Sequence, residues 1–231
     1  MAYIPLRIDF VEPDTYCTRI GDNGKNHGFP TGTAYILRDD TNGKEYPFGR
    51  TCASYVVNDI SLLKGLPDFT IRDYSQEEQD AQGNGTGDSK GNTYATVINS
   101  EREQAFAKRY LLLRMEKVAN IPGIQTGIRY ERLASIYANF QQTGQLSDDE
   151  VRQIINIEKS EKTPAIYKSN HLLDVYTAYI QLSRRIKRTK PGNYKDMLIN
   201  ILNVHLLQRL TLYPKQISAA KLKLHPQAFK S

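Results

Sequence analysis

Tryptophan is absent from the 231 residues, methionine occurs three times and cysteine only twice. Each scarcity excludes something. Two cysteines, Cys17 and Cys52, cannot staple a disulfide-rich secreted scaffold, and a pair of this kind in a cytosolic protein stays as thiols. Long apolar runs are also missing: nowhere do about 18 uncharged apolar residues follow one another, so no membrane-spanning helix and no membrane partner are expected. The first residues, MAYIPLRIDFVEP, carry charges where a signal peptide needs its apolar stretch, which predicts a cytoplasmic protein. Catalytic signatures are lacking as well. The glycines at 83–91 have no Gly-Lys-Ser/Thr ending, there is no HExxH, and no nucleophile elbow is present. His171, His205 and His225 fall in separate contexts with no Cys or Ser pattern beside them, so a non-enzyme is expected.

What is present is an ordinary globular composition, 39% hydrophobic and 24% charged, with 15 tyrosines. The net charge of +6 is unevenly placed: residues 1–100 carry 9 Lys+Arg against 14 Asp+Glu, and residues 101–231 carry 22 against 11. Such asymmetry points to two domains with different partners, the basic one attracting phosphate polymers by counterion release. Between them, SQEEQDAQGNGTGDSKGNT (75–93) holds four glycines and no apolar side chain larger than alanine, so it is expected to be a flexible loop. The predicted organisation is an α+β fold: a small β-hairpin domain over 1–74, a Gly-rich loop or linker over 75–96, and a basic helical bundle over 97–231.

In the first domain TAYILRDD (33–40) has strand alternation, Asn42-Gly43 suggests a type I′ turn, and EYPF completes a hairpin. Cys52 opens a helical segment in which Val56, Ile60 and Leu63 recur at helical spacing before Gly65, and LPDFTIRDY reads as a further strand with Phe69 and Ile71 on one face. In the second domain Ser100 and Glu103 have capping-box spacing, and Phe106, Tyr110, Leu113 and Lys117 form a ridge ended by the IPG at 121–123. Leu133, Ile136, Tyr137 and Phe140 stripe a helix that stops at Thr143-Gly144. Ser147 and Glu150 make a second capping box, which assigns Asp148, Asp149 and Glu150 to the helix start rather than to a metal-dependent nuclease. Leu172, Val175, Tyr176 and Tyr179 stripe the next helix, Met197, Ile201, Val204 and Leu207 another, and Pro214 suits the first turn of a short final one through Ile217 and Leu222.

Two groups of residues carry candidate chemistry. Cys17-Thr-Arg-Ile-Gly21, the hairpin, and Phe48-Gly-Arg-Thr-Cys52-Ala53 at a helix start resemble the treble-clef class of zinc fingers over about 40 residues. That resemblance implies zinc. Yet Ile20 and Gly49 stand where two of the four ligands belong, and only His27 lies near enough to join Cys17 and Cys52, so a metal-free remnant is the expectation. Lys25, Arg38, Lys44 and Arg50 of the same domain are candidate phosphate contacts. The second group is the basic segment Arg184, Arg185, Lys187, Arg188, Lys190 and Lys195, supplemented by Lys168, whose crowding at a helix end favours an anionic neighbour. Tyrosines beside cations, at Tyr110, Tyr130, Tyr167 and Tyr194, are candidates for stacking on unpaired bases.

These features predict a non-catalytic nucleic-acid-binding protein, with DNA or RNA as partner, whose helices grip phosphates and whose N-terminal domain or Gly-rich loop adds selectivity. The arrangement is also similar to the small large-subunit proteins of type IV CRISPR effectors, carried by the stretch from Phe48 to Cys52. That resemblance implies a ribonucleoprotein subunit contacting guide RNA and target DNA beside other protein subunits. A protein-interaction adaptor with an acidic partner is the third expectation.

Overall fold

Tyr3, Pro5, Arg7 and Asp9 alternate with Ile4, Leu6, Ile8 and Phe10, and this period-two segment forms strand β1 (Tyr3–Phe10). It pairs antiparallel with β2 (Thr33–Asp39), which pairs in turn with β3 (Glu45–Phe48), giving a three-stranded sheet in the order β1-β2-β3. Both strand prolines, Pro5 and Pro47, lie on the outer strands, where a missing N–H costs no ladder bond. The register slips between Pro5 and Arg7. The computed structural model describes residues 2–21, 24–72 and 92–230, and the chain forms two compact units, Met1–Thr70 and Ile71–Ser231. The architecture is α+β: a small antiparallel sheet followed by helices. No helix among the described residues is long and apolar enough to cross a membrane.

In the N-terminal unit one face of β2 supplies Leu37 to a core with Cys17, Phe48, Cys52, Ala53 and Val57, closed by Tyr3, whose ring meets Phe48 edge-on at 5.0 Å. The other face supplies Ala34 and Ile36, packed with Val11. The hairpin forms as expected, but its turn differs. Gly43 alone takes a positive φ, of 69°, while Asn42 does not, so the loop is longer than a type I′ turn: the Asp39 carbonyl accepts from Gly43 N–H, and Asp39 N–H donates to Lys44. The reason is Asp39, a buried carboxylate that accepts from the Thr41 N–H and hydroxyl and from Asn42 Nδ2, pinning the loop from inside.

The same Asp-x-Ser/Thr device recurs twice. Asp59 accepts from the N–H and hydroxyl of Ser61, and Asp68 from those of Thr70. At Asp59 it splits the helix expected after Cys52: α1 (Arg50–Val56) ends, and a separate 3-10 turn covers Ile60–Leu63. At Asp68 it limits the expected last strand to a single parallel bridge between Ile8 and Asp68, with Phe69 buried and Ile71 exposed.

The helical unit contains α2 (Asn92–Leu112), α3 (Glu131–Thr143), α4 (Asp148–Lys159), α5 (Ser169–Arg188), α6 (Asn193–Asn200) and α7 (Pro214–Ala219). Two of these are prolonged by π-helical turns, α2 through Leu113–Val118 and α6 through Ile201–Leu206. Of the expected Gly-rich loop, 75–91 lie outside the described residues, as do 73 and 74 before it, and 92–96 belong to α2. Ser100 is therefore eight residues inside a helix and caps nothing. Ser147 does cap: its hydroxyl accepts from Glu150 N–H while Glu150 returns a bond to Ser147 N–H. Gly144 ends α3 with φ 71°, and Pro214 opens α7. Along the stripes of α3, α4 and α5, Leu133, Ile154, Leu172 and Val175 are fully enclosed, while Tyr137, Phe140, Ile155 and Tyr179 are half-buried. The stripe of α6 breaks at Val204, which is exposed, because the π-helical turn rotates it outward and brings Leu206 in.

Candidate metal centre and cationic helix end

Three backbone pairings assemble the first site. Thr18 N–H and its hydroxyl donate to the Pro47 carbonyl at the otherwise open edge of β3, which holds the Cys17 segment against the strand. Cys17 N–H donates to the His27 carbonyl, and Tyr16 bridges Gly28, so the His27 segment is laid beside Cys17. Asn26 Nδ2 donates to the Cys17 carbonyl. Cys52 arrives on the first turn of α1. The result is a cluster in which the Cys17 and Cys52 sulfurs and a His27 ring nitrogen all lie within 4.8 Å of one another, with both cysteines buried and His27 exposed. Neither cysteine is in a disulfide.

The two thiols are not equivalent. Burial pushes the Cys17 thiol up, against the Gly49 N–H that donates to its sulfur at 3.4 Å. Burial acts on Cys52 too, but hydrogen bonds from His27, Cys17 and Arg19, and the nearby imidazolium, outweigh it and hold this thiol below its ordinary range. His27 is correspondingly raised by its contact with the Cys52 sulfur, 3.3 Å from Nε2, and by the Gly28 carbonyl, 3.0 Å from Nδ1. The Arg19 guanidinium lies 4.4 Å from the centre of the Tyr55 ring. Of the two thiols, Cys52 is thus the more acidic.

A small antiparallel sheet beside a Cys-His-Cys cluster is what the structure retains of the expected zinc-finger-like arrangement. Ile20, at the place of a second knuckle cysteine, is exposed. The four cations named in this unit are separated. Arg38 and Lys44 lie toward the hairpin loop, with Arg38 in register with Glu45, while Arg50 opens α1 at the opposite end of β3 and Lys25 lies on the loop carrying His27. All four are exposed.

The second site is the C-terminal end of α5. At 100° per residue, Arg184, Lys187 and Arg188 fall within an arc of about 100° opposite Leu182, which is fully buried. Lys187, Arg188 and Lys190 are exposed, Lys195 and Lys168 half-buried. Arg184 and Arg185 are half-buried, and Arg185 Nη2 donates to the Lys221 carbonyl at 2.9 Å, so its guanidinium is tied to the chain beyond α7. Among the described residues no carboxylate lies within 4.0 Å of Arg185, Arg188, Lys190, Lys195 or Lys168.

Two of the four tyrosines beside cations are used internally. Tyr110 is enclosed, its hydroxyl accepting from Arg114 and donating to the Tyr167 carbonyl. Tyr167 lies under the same guanidinium, 4.8 Å from its ring centre. Sequence reasoning passed over Arg114 because it falls on the core side of α2, where a cation is rarely found; it is buried, bonded to the Ile128 carbonyl, and covered by tyrosine faces. Tyr130 and Tyr194 keep 38% exposure each, Tyr130 with its ring centre 5.8 Å from the Arg114 guanidinium and Tyr194 with its hydroxyl donating to the Ala219 carbonyl. No protein-family model matches this chain, and comparison with curated proteins and with solved structures finds no match either.

Proposed function

We propose that the chain is a non-catalytic nucleic-acid-binding protein in which the helical unit contacts phosphates and the N-terminal unit, a degenerate treble clef, adds selectivity. The observation that carries the reading is the cationic end of α5, where Arg188 and Lys190 are exposed and no carboxylate among the described residues approaches them. Cations at a helix C-terminus complement the macrodipole wherever they are found. Their density here exceeds that need. They sit in a region with twice as many Lys+Arg as Asp+Glu, 22 against 11 over residues 101–231. Tyr194, 38% exposed and next to Lys195 in sequence, offers a flat face for stacking.

Binding to duplex DNA, single-stranded DNA and RNA at several salt concentrations tests the reading. Phosphate contact gives a steep fall of affinity with salt, and replacing Arg184, Arg185, Lys187 and Arg188 by alanine should reduce the slope by about 3 to 4 on B-DNA. Arg185→Ala alone should contribute less than Arg188→Ala, because its guanidinium already serves the Lys221 carbonyl. A chain that ignores all three polymers is an adaptor instead.

A further inference from the structure

We infer that Cys17, His27 and Cys52 form a three-ligand site for a thiophilic divalent cation such as Zn2+, with the fourth coordination position open to water or an added ligand. The donor set is two sulfurs and one imidazole nitrogen, a combination that favours zinc over magnesium or calcium. Spacing agrees with it. A tetrahedral ion about 2.3 Å from sulfur and 2.0 Å from nitrogen separates the two donors by about 3.5 Å, and His27 Nε2 lies 3.3 Å from the Cys52 sulfur.

The ligand tautomer is also prepared. His27 Nδ1 lies 3.0 Å from the Gly28 carbonyl, which can only accept, so Nδ1 carries a proton and Nε2 is the nitrogen that, on releasing its own proton to solvent, offers a lone pair toward the sulfurs. Histidine ligands are commonly oriented in this way by a carbonyl on the far nitrogen. Two buried sulfurs give the ion a dry inner side, and the exposed imidazole gives it a route to solvent.

Gly49 makes room for the His27 ring. A Cβ on residue 49 would stand 2.8 Å from His27 Cε1 and 3.3 Å from Nε2, closer than a carbon side chain can approach, so the ring can keep this place beside Cys52 only while residue 49 is glycine. No further His, Cys, Asp or Glu among the described residues joins the cluster. Three protein ligands leave one vertex of a tetrahedron to solvent, the pattern of exchangeable rather than sealed zinc sites.

This inference does not depend on the phosphate-binding reading and survives its failure. The full chain, stripped with a chelator and titrated with Co2+, provides the test. One equivalent should bind, giving a thiolate-to-cobalt charge-transfer band in the near ultraviolet and the strong visible bands of four-coordinate cobalt, and added cyanide or imidazole should shift those bands. His27→Ala, at an exposed position, should keep the circular dichroism of the chain and weaken Co2+ binding by at least about tenfold, since loss of a mere outer-shell partner already costs ten- to a hundredfold. Gly49→Ala should weaken it as well by displacing the ring, and zinc should protect Cys52 from alkylation. Absence of charge transfer in folded chain, or equal affinity in wild type and both variants, overturns the site. Visible bands indifferent to cyanide and imidazole overturn the open position.

Discussion

The two units hold themselves together by different means. In the N-terminal unit, short strands and a seven-residue helix are tied by side chains bonded to backbone: Asp39, Asp59 and Asp68 each clamp a turn through the second residue after them. In the helical unit, apolar stripes recur over long segments, and the buried polar groups include Arg114, bonded to a carbonyl and a tyrosine hydroxyl, and Asp174, paired with Arg72. Met1–Thr70 holds nine Asp+Glu against seven Lys+Arg. Three of the nine carboxylates anchor loops, and a small unit with little apolar area depends on such anchors more than a larger one does.

That contrast breaks most visibly when a core side chain is removed from one unit only. Phe48→Ala should cost about 3–5 kcal/mol of N-terminal stability, lowering hydrogen-exchange protection in β1–β3 while protection in α5 is kept. Equal loss in both units would show that they do not unfold separately. Next in size, Arg114→Ala leaves the Ile128 carbonyl and the Tyr110 hydroxyl without their donor and should cost about 2–4 kcal/mol, read as a lower denaturant midpoint for the helical unit. Phe48→Ala empties a cavity, whereas Arg114→Ala breaks a polar network, so only the second should be partly rescued by also replacing Tyr110 with Phe.

Smaller effects sharpen the comparison within the helices. Ser147→Ala removes a working cap and should cost about 1 kcal/mol. Ser100→Ala, at the same sequence spacing but in mid-helix, should change thermal stability by less than about 0.5 kcal/mol and toward greater stability. The response to acid should be smaller still. His171 is lowered by burial, so its contribution is present above its ordinary value of about 6.5 and is lost as pH falls below it. Asp39 and Asp59 are lowered chiefly by their Thr41 and Ser61 bonds, and what they contribute is present above about pH 3.9 and lost on further acidification. On lowering pH the helical unit should therefore soften first, and Asp39→Asn should remove part of the later N-terminal response in a pH series of melts.

Much of the helical unit was legible because its signals are local and repeated. Leu133 with Ile136, Gly144, the Ser147–Glu150 box and Pro214 each act within one or two turns of themselves. Capping spacing at Ser100 misled because a Ser three residues before a Glu is a cap only where the chain before it is not helical, a condition set upstream. Val204 misled because nothing local announces a π-helical turn. In the first unit the period-two alternation of Tyr3 to Phe10 is a strand signal weakened by the charges Arg7 and Asp9 within it. Asn42-Gly43 signalled the hairpin correctly while its turn type was decided by Asp39 from the buried side.

The candidate centre shows the same limit at higher resolution. Cys17, His27 and Cys52 were nameable as a set because so few residues of those types exist, but their order along the chain said nothing of distance. Their meeting depends on Thr18 reaching Pro47 and Cys17 reaching His27, bonds between segments ten to thirty residues apart. Gly49 was read as a missing ligand, and only the packed ring of His27 shows it as a vacated space.

Sequence alone determined where charge accumulates, which segments are helical, and that an α+β chain with a hairpin would result, because these follow from side-chain type and short-range periodicity. Tertiary structure decided which cations stay outside, which tyrosines are spent internally, and which sulfur is the more acidic. Those outcomes depend on what desolvates and bonds each group, and the neighbours that do so are brought in by chain folding from far along the sequence.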